Sequence, residues 1–263
     1  MSDSKEIREA VKENYAKVAL DNSTFTGCGC GPTDCCEPVR DHDEVSTTMG
    51  YSAEELAAVP EGANLGLGCG NPQAIASIKT GETVLDLGSG AGFDSFLASR
   101  QVGDTGQVIG VDMTPEMISK ARKNARNTGI TNTQFKLGQI ENLPLDDNVV
   151  DVIISNCVIN LSPEKQKVFY EAYRVLKTGG RIAVSDVVAT AEMPSAFMED
   201  LKLLSACVSG ASTITTLEQM LANAGFKNIR IEPKDESKAF IRDWSPEHNV
   251  EDYVVSASIQ ATK

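Results

Sequence analysis

Cysteine and glycine residues form the patterns in this sequence that are most informative about chemistry. Seven cysteines occur among 263 residues, whereas the two histidines, His42 and His248, cannot build a three-histidine zinc site and are assigned no role. The first residues lack the apolar core of a signal peptide, so we expect a cytoplasmic protein. Structural disulfides are rare in that reducing compartment, and the cysteines therefore favour metal, metalloid or redox chemistry.

The cysteines divide into a cluster of four and three that stand apart. The cluster has the spacing C-x-C-x₄-C-C in a glycine-rich loop, which does not match the C-x₂-C pairs of zinc ribbons. It contains Cys28, Cys30, Cys35 and Cys36. Two interpretations stay open: a turn-rich loop with spare thiols, or a loop that relays thiol oxidation or captures a soft ion.

A glycine-rich segment at residues 84–93 predicts a buried strand, a tight turn and the start of a helix. The apolar residues around Asp86 are typical of a parallel strand that is covered on both faces. Gly88, Gly90 and Gly92 permit positive φ and let the backbone approach a ligand closely. The spacing is G-x-G-x-G and not the G-x-G-x-x-G that seats a pyrophosphate, which favours a ligand without phosphates.

Acidic residues follow the next two predicted strands. Asp112 ends the strand at residues 107–112, near the ~20-residue spacing at which a carboxylate accepts hydrogen bonds from ribose hydroxyls. S-adenosylmethionine fits this pattern, because it carries adenosine and a sulfonium but no phosphate. Glu141 either accepts a hydrogen bond from the adenine amino group or is a solvated loop acid, and Ile140 is placed to lie against the ring.

Strands and helices alternate along the chain, which predicts an α/β, Rossmann-like fold with right-handed crossovers and a mostly parallel sheet. The predicted strands are residues 84–87, 107–112, 133–137, 181–188, 227–232 and 253–261, the last at a hairpin edge, and residues 149–161 are predicted as a further strand with its exit loop. The predicted helices are residues 4–19, 52–58, 91–101, 115–127, 165–176, 194–209 and 216–224. A capping box at Ser52 begins the second helix, Ser162 caps the fifth, and residues 177–180 break the chain before the next strand.

Three regions follow from this order. Residues 1–75 are expected to form an N-terminal helix and a cysteine-rich cap. Residues 76–190 form the cofactor-binding core, and residues 191–263 form a helical insertion with the closing strands. In such a sheet, ligands bind beyond the carboxyl ends of the strands.

The remaining cysteines come from separate segments that can converge at this edge of the sheet. Cys69 stands between glycines, where a residue that only fills the core is not expected. Cys157 and Cys207, each taken alone, are typical of small buried hydrophobic residues. Together, three converging thiols predict a site for a soft ion.

Charge limits the possible partners. The formal net charge is -13, which disfavours nucleic acid and anionic membranes because their binding requires clustered Lys and Arg. No segment approaches the ~18 apolar residues of a membrane span. A neutral or cationic small molecule is therefore the expected ligand.

The sequence resembles the arsenite S-adenosylmethionine methyltransferases, a family on the class I methyltransferase fold. The resemblance runs from about Ser46 to Ile231 and is carried by Gly66-Leu-Gly-Cys-Gly-Asn-Pro72, Leu85-Asp-Leu-Gly-Ser-Gly-Ala-Gly-Phe-Asp94, Gly110-Val-Asp-Met-Thr114 and Ser155-Asn-Cys-Val-Ile-Asn-Leu161. The glycine and acid motifs indicate only a class I methyltransferase, whereas the cysteines in these settings indicate arsenic.

The resemblance implies roles for particular residues. The cofactor would be lined by Asp86, Gly88, Gly90, Asp112, Met113, Ile140 and Glu141. Cys69, Cys157 and Cys207 would hold trivalent arsenic as the catalytic thiolates. One cysteine of the N-terminal cluster would take part in disulfide exchange, with thioredoxin or glutathione as the reductant. Residues 208–214 depart from the apolar continuation usual in the family.

Two other functions remain open at this point. One is a small-molecule methyltransferase of the quinone type, in which the cysteines are incidental and the reaction needs a base or an acidified carbon near the methyl group; no histidine is placed to serve as the base. The other is a non-catalytic metalloid-binding protein, which would form no product from S-adenosylmethionine.

Overall fold

The computed structural model describes residues 4–20, 41–198, 200–245 and 247–263. The strands are β1 (Thr83–Leu87), β2 (Gln107–Asp112), β3 (Thr133–Leu137), β4 (Val150–Asn156), β5 (Leu176–Ala189), β6 (Ser212–Thr213), β7 (Lys227–Lys234) and β8 (Val254–Thr262). The helices are α1 (Ser4–Leu20), α2 (His42–Thr48), α3 (Ala53–Ala57), α4 (Gln73–Ala76), α5 (Phe93–Val102), α6 (Pro115–Thr128), α7 (Lys165–Val175), α8 (Ser195–Met198), α9 (Leu201–Ser205), α10 (Ile214–Ala224) and α11 (Lys238–Ile241). Cys28, Cys30, Cys35 and Cys36 lie outside the described residues. No helix in the described ranges is long and apolar enough to cross a lipid bilayer.

The sheet has the strand order β3-β2-β1-β4-β5-β8-β7, and the short β6 pairs with β5. Strands β1 to β5 are parallel to one another, whereas β8 runs antiparallel to both β5 and β7. This arrangement confirms the predicted α/β fold with a mostly parallel sheet. The position expected for the last strand is wrong, because β8 lies between β5 and β7 and the edge belongs to β7.

Alternate strand residues pack against helices on opposite faces of the sheet, as the two-residue period of a strand requires. On one face, Leu85 and Ile153 pack with apolar side chains of α7 and α10. On the other face, Val84 and Val152 pack with side chains of α4 and α5. Because both faces are covered, the strands carry continuous apolar runs.

Most predicted helix ends are confirmed by their capping contacts. Ser52 and Glu55 form the predicted capping box at α3. Gly129 and Gly225 end α6 and α10 in the left-handed conformation that suits glycine. At α7 the prediction is wrong, because Glu164 is the cap residue and makes no side-chain capping bond.

Two predicted boundaries differ because of long-range pairing. Residues 177–180, expected as a break, belong to β5, and the break appears only as a shift in register opposite Val150 and Val152. The helix expected over residues 194–209 is two short helices, α8 and α9.

Cys207 therefore follows a helix instead of lying within one. Its φ is +62°, in the left-handed region. The Cys207 N–H donates to the Leu204 carbonyl and the Val208 N–H donates to the Leu203 carbonyl, both at 2.8 Å. These two bonds form a Schellman motif in which Cys207 occupies the position that glycine usually fills. We refer to residues 203–208 as the Cys207 turn.

Candidate active site

A cavity of about 380 Å³ lies at the carboxyl ends of β1, β2 and β4. We refer to it as the central cavity. Its lining includes all seven residues assigned to the cofactor from the sequence: Asp86, Gly88, Gly90, Asp112, Met113, Ile140 and Glu141. The structure therefore brings these residues together, as expected from ligand binding at the carboxyl ends of parallel strands.

The turn after β1 leaves room only for glycine. Gly88 has a φ of +69°, and a Cβ there would lie 2.4 Å from Cγ2 of Val158. The N–H groups of Gly88 and Ser89 both donate to the carbonyl of Val111, which ties the turn to the end of β2. The backbone of the turn is consequently exposed to the cavity without an intervening side chain.

Two buried carboxylates stand at the base of the cavity, between β1 and α5. Asp86 accepts a hydrogen bond from Ser95 Oγ at 2.6 Å, and burial, with the nearby Asp94 carboxylate, raises the pKa of Asp86 well above its usual value. Asp94 accepts from Tyr51 Oη at 2.8 Å, and burial raises the pKa of Asp94 to about 6. Asp94 had no role assigned from the sequence, although it lies within a motif that carries the resemblance.

The carboxylate of Asp112 fixes the glycine turn. It accepts hydrogen bonds from the N–H of Gly90 at 2.9 Å and the N–H of Thr114 at 2.8 Å. Burial raises the pKa of Asp112, although these two hydrogen bonds oppose the change. Its predicted contact with a ribose would add to these backbone contacts.

Glu141 lies in a buried setting, so the interpretation of this residue as a solvated loop acid is wrong. Its side chain is 8% exposed. It accepts hydrogen bonds from Arg8 Nε at 3.2 Å and from Ser162 Oγ at 2.6 Å. Ser162, predicted to cap α7, instead donates to Glu141 and accepts from the N–H of Glu164.

Helix α1 forms one wall of the cavity, a role that the sequence did not suggest. Arg8, Val11 and Tyr15 line the cavity from this helix. Arg8 pairs with Glu141 and Glu164, and Tyr15 Oη donates to the carbonyl of Ser205 at 3.3 Å. Arg8 supplies the one positive charge among the described residues that line the cavity. The balance of charge is acidic, which suits a cationic ligand.

The three separate cysteines lie close together, with Cys157 and Cys207 lining one end of the cavity and Cys69 next to Cys157. Cys69, Cys157 and Cys207 are free thiols and all are buried. The sulfur atoms of Cys69 and Cys157 lie within 4.8 Å of each other, and the Cys207 thiol donates to the Cys157 carbonyl at 2.9 Å. Cys157 is therefore the central member of this group, which we call the thiol cluster.

The protonation of the thiol cluster is set by its burial. Burial raises the pKa of Cys157 well above its usual value, and its two cysteine neighbours raise it further. The hydrogen bond with Cys157 lowers the pKa of Cys207, but burial and the Asp186 carboxylate outweigh it and the net change is a rise. The thiols of Cys157 and Cys207 are consequently protonated at neutral pH when no ligand is bound.

Backbone contacts hold each thiol in place. The Cys69 N–H donates to Asn156 Oδ1 at 3.0 Å, and the Cys69 carbonyl accepts from Ser256 Oγ at 2.6 Å. Cys157 has a φ of +57°, and its N–H donates to the carbonyl of Ser185 at 2.8 Å. The thiol cluster is thus assembled from the loop before β1, the end of β4 and the Cys207 turn.

Asp186 lies beside the thiol cluster and was missed in the sequence. One of its carboxylate oxygens lies within 4.8 Å of the sulfur atoms of Cys69 and Cys157. Its oxygens accept from Asn160 Nδ2 at 2.9 Å and from the N–H groups of Val187 at 2.8 Å and Ile159 at 3.0 Å. Burial raises the pKa of Asp186 to about 6. Because its oxygens are committed to these donors, the carboxylate braces the ends of β4 and β5.

Comparisons with known proteins agree with this geometry. Residues 78–225 match the family model of a methyltransferase domain. An arsenite methyltransferase of Halobacterium salinarum is 52% identical over 99% of this chain and 68% of its own length. The chain belongs to the arsenite methyltransferase family. This result confirms the resemblance found in the sequence.

The chain is also similar to a family member of known structure and to a methyltransferase of another family. The crystal structure of an arsenic(III) S-adenosylmethionine methyltransferase from Chlamydomonas reinhardtii has a TM-score of 0.62 and 34% identity, covering 83% of this chain and 73% of that one. A ubiquinone/menaquinone biosynthesis C-methyltransferase of Enterobacter sp. (strain 638) is 32% identical over 71% of this chain and 74% of its own length. The chain spans between 41% and 68% of the length of the arsenite methyltransferases that it matches.

Proposed function

We propose that this protein transfers methyl groups from S-adenosylmethionine to trivalent arsenic that is held by Cys69, Cys157 and Cys207. The observation that carries the proposal is the thiol cluster, three buried free thiols from separate segments, of which Cys157 and Cys207 line one end of the central cavity and Cys69 lies within 4.8 Å of Cys157. In this scheme arsenite is the first substrate, and methylated trivalent arsenic is the second.

The central cavity has the features that S-adenosylmethionine requires. The glycine turn exposes backbone where a Cβ would collide with Val158. Asp112 and Glu141 offer acceptors for the ribose and the adenine, and the acidic lining favours a sulfonium. When bound, the cofactor supplies an electrophilic methyl group. Met113 and Ile140 supply the apolar surface beside the predicted ribose and adenine positions.

The chemistry of the thiol cluster suits arsenite. Three thiols and arsenous acid give an arsenic tris-thiolate and three water molecules, since each thiol proton leaves with one hydroxyl group. The raised pKa of Cys157 and Cys207 keeps those protons available at neutral pH. Thiolates bind soft ions strongly, and the lone pair left on arsenic is the nucleophile, so no general base is needed. The protein's own contribution is to orient arsenic toward the cavity.

Turnover requires a reductant in this scheme. Methyl transfer leaves arsenic formally pentavalent, and two electrons return it to the trivalent state. Two cysteine thiols supply them by closing a disulfide, which thioredoxin or glutathione then reduces by thiol exchange. Cysteines 28, 30, 35 and 36 are the candidates for part of this exchange.

One assay tests the proposal against its two alternatives. Purified protein is incubated with arsenite, S-adenosylmethionine and a thiol reductant, and arsenic species are separated by chromatography and detected by mass spectrometry. We expect methylated arsenic. A quinone-type methyltransferase would leave arsenite unchanged and methylate a quinone precursor. A metalloid-binding protein would retain arsenic without forming S-adenosylhomocysteine.

Asp112→Ala is expected to weaken cofactor binding by roughly tenfold or more while arsenic binding is retained. A hydrogen bond to a charged group contributes ~1.5 to 3 kcal/mol, and Asp112 also holds the Gly90 and Thr114 N–H groups in place. Calorimetric titration with S-adenosylmethionine measures the effect, and Asp104→Ala, at an exposed aspartate, is the matched control. Unchanged affinity in a folded Asp112→Ala variant would remove Asp112 from the cofactor site.

Serine at positions 28, 30, 35 and 36 is expected to leave arsenite binding intact and to slow repeated turnover. The thiol cluster is complete without these four residues, whereas they take part in the disulfide exchange that reduces arsenic after each methyl transfer. Arsenic bound per protein is measured by elemental analysis, and a single-turnover experiment is compared with the steady state. If arsenic binding collapses in this variant while Cys69→Ser binds normally, the N-terminal loop is the primary receptor.

A further inference from the structure

Lys165 is a cation in an unfavourable position. It is the first residue of α7, where the positive end of the helix dipole disfavours a positive charge. Its side chain is partly buried, and burial lowers the pKa of the ammonium group, although the Asp186 carboxylate opposes this change. A positive charge in such an unfavourable position indicates that the ammonium group makes a favourable contact with another part of the fold.

The ammonium group of Lys165 binds the chain just after the Cys207 turn. Nζ donates to the carbonyl of Gly210 and to Ser212 Oγ, the latter at 3.1 Å. These contacts join α7 to a segment 45 residues further along the chain. Ser212 then pairs with Val188 at the end of β5.

The segment between Cys207 and Ser212 has little freedom once Lys165 is bound. A Cβ at Gly210 would lie 2.1 Å from the carbonyl oxygen of Asn160, so this backbone is pressed against the chain that follows Cys157. The N–H of Ala211 donates to the carbonyl of Val208 at 2.9 Å. Lys165 therefore anchors the C-terminal end of the loop at residues 207–212, and the N-terminal end of this loop carries the Cys207 thiol.

The Cys207 turn needs such support. A residue other than glycine is strained at a φ of +62°, and this conformation persists only where the surrounding structure enforces it. The Leu203 and Leu204 carbonyls enforce it from the helix side. Residues 208–212, on the other side of Cys207, must enforce it as well.

We propose that Lys165 is a positioning residue that fastens residues 208–212 to α7 and thereby holds the Cys207 thiol against Cys157. This inference rests on the proposed function for its consequence in catalysis. It also predicts a property of the protein without arsenic, namely selective protection of one thiol. Lys165 acts through Cys207 and contacts neither reactant.

Alkylation of the protein without arsenic tests the contact directly. Wild type, Lys165→Met and Lys165→Arg are treated with N-ethylmaleimide, and the modification of each cysteine is followed by peptide mass spectrometry. We expect Cys207 to react about tenfold faster in Lys165→Met, because the turn opens more often, and to return toward the wild-type rate in Lys165→Arg. The rate at Cys69, held by Asn156 and Ser256, should change less than about twofold.

The control is Lys167→Met, which removes an exposed lysine two residues further along the same helix. It should leave the rate at Cys207 unchanged. A general loss of stability in Lys165→Met would speed the reaction of all the buried thiols together, and that outcome would overturn the inference. Equal rates at Cys207 in Lys165→Met and wild type would overturn it as well.

Kinetics and a double substitution test the consequence for the reaction. Lys165→Met should raise the KM for arsenite about tenfold and leave the KM for S-adenosylmethionine within about twofold. In a Cys207→Ser background, Lys165→Met should not weaken arsenite binding further, as measured by the fluorescence of Trp244 in the cavity wall. An additional loss in that background would show that Lys165 acts by another route. Failure of wild type to methylate arsenite would overturn the proposed function, while the alkylation result would still decide the role of Lys165.

Discussion

Cys157→Ser is expected to abolish methylation of both arsenite and monomethylated trivalent arsenic. Cys157 is the central member of the thiol cluster, because its sulfur lies within 4.8 Å of that of Cys69 and its carbonyl accepts a hydrogen bond from the Cys207 thiol. Any pair of neighbouring thiolates in the cluster therefore includes it. A serine hydroxyl is a hard ligand and does not replace a thiolate on a soft ion. Loss of groups that merely support a metal ligand already costs ~10–100-fold, so the loss here should exceed about 100-fold.

The measurement is arsenic speciation with each substrate in the presence of a thiol reductant. Cofactor affinity, measured by calorimetry, should stay within about twofold of wild type, since the glycine turn and Asp112 are unchanged. In a single turnover, the variant with serine at the four N-terminal cysteines is the matched control, because it also removes thiols but leaves the cluster complete. Retention of a tenth or more of wild-type activity in Cys157→Ser would show that arsenic does not depend on this thiol.

The cofactor half of the site could be predicted from the sequence because its determinants are local. The strand, the glycine turn and the start of α5 are contiguous, and Asp112 ends the adjacent strand. Each parallel strand exits at the same edge of the sheet, so Asp86, Gly88 and Asp112 had to come together once the fold was correct. The same reasoning brought Cys157 to this edge.

Other features depend on contacts between distant residues, which no local pattern encodes. Arg8 pairs with Glu141 across 133 residues, and this contact converts an apparent loop acid into a buried one. Asp186 and Lys165 stand in ordinary strand and helix sequence, and only the packed structure places Asp186 beside the thiols and Lys165 against Gly210 and Ser212.

The errors in the predicted elements have a common physical cause. Helical propensity over residues 194–209 suggested one helix, but tertiary packing ends α9 at Ser205. Cys207 then adopts a left-handed conformation, and no glycine at this position signals the end of the helix in the sequence. The last strand looked like an edge from its alternation, yet pairing with both β5 and β7 buries it.

Cys69→Ser is expected to abolish methylation of arsenite but to retain turnover of monomethylated trivalent arsenic. Inorganic trivalent arsenic takes three thiolates, whereas arsenic that carries one methyl group has only two positions left for sulfur. One thiol must then become dispensable. Cys157 and Cys207 line the central cavity, whereas Cys69 lies on the side of Asp186, with the Cys157 thiol as its neighbour in the cluster. The pair that faces the methyl donor is therefore Cys157 and Cys207.

The position of Cys69 is the basis for this expectation, and Asn156 and Ser256 fix that position by holding its backbone. Serine preserves those backbone contacts and nearly the same volume, so Cys69→Ser should fold normally by circular dichroism. Both substrates are assayed with Cys69→Ser and Cys207→Ser in reductant, and the second variant should lose both activities. The assignment fails if Cys69→Ser loses both substrates, or if Cys207→Ser still methylates the monomethylated one. In the latter case the released thiol is Cys207, and the Cys207 turn opens after the first transfer.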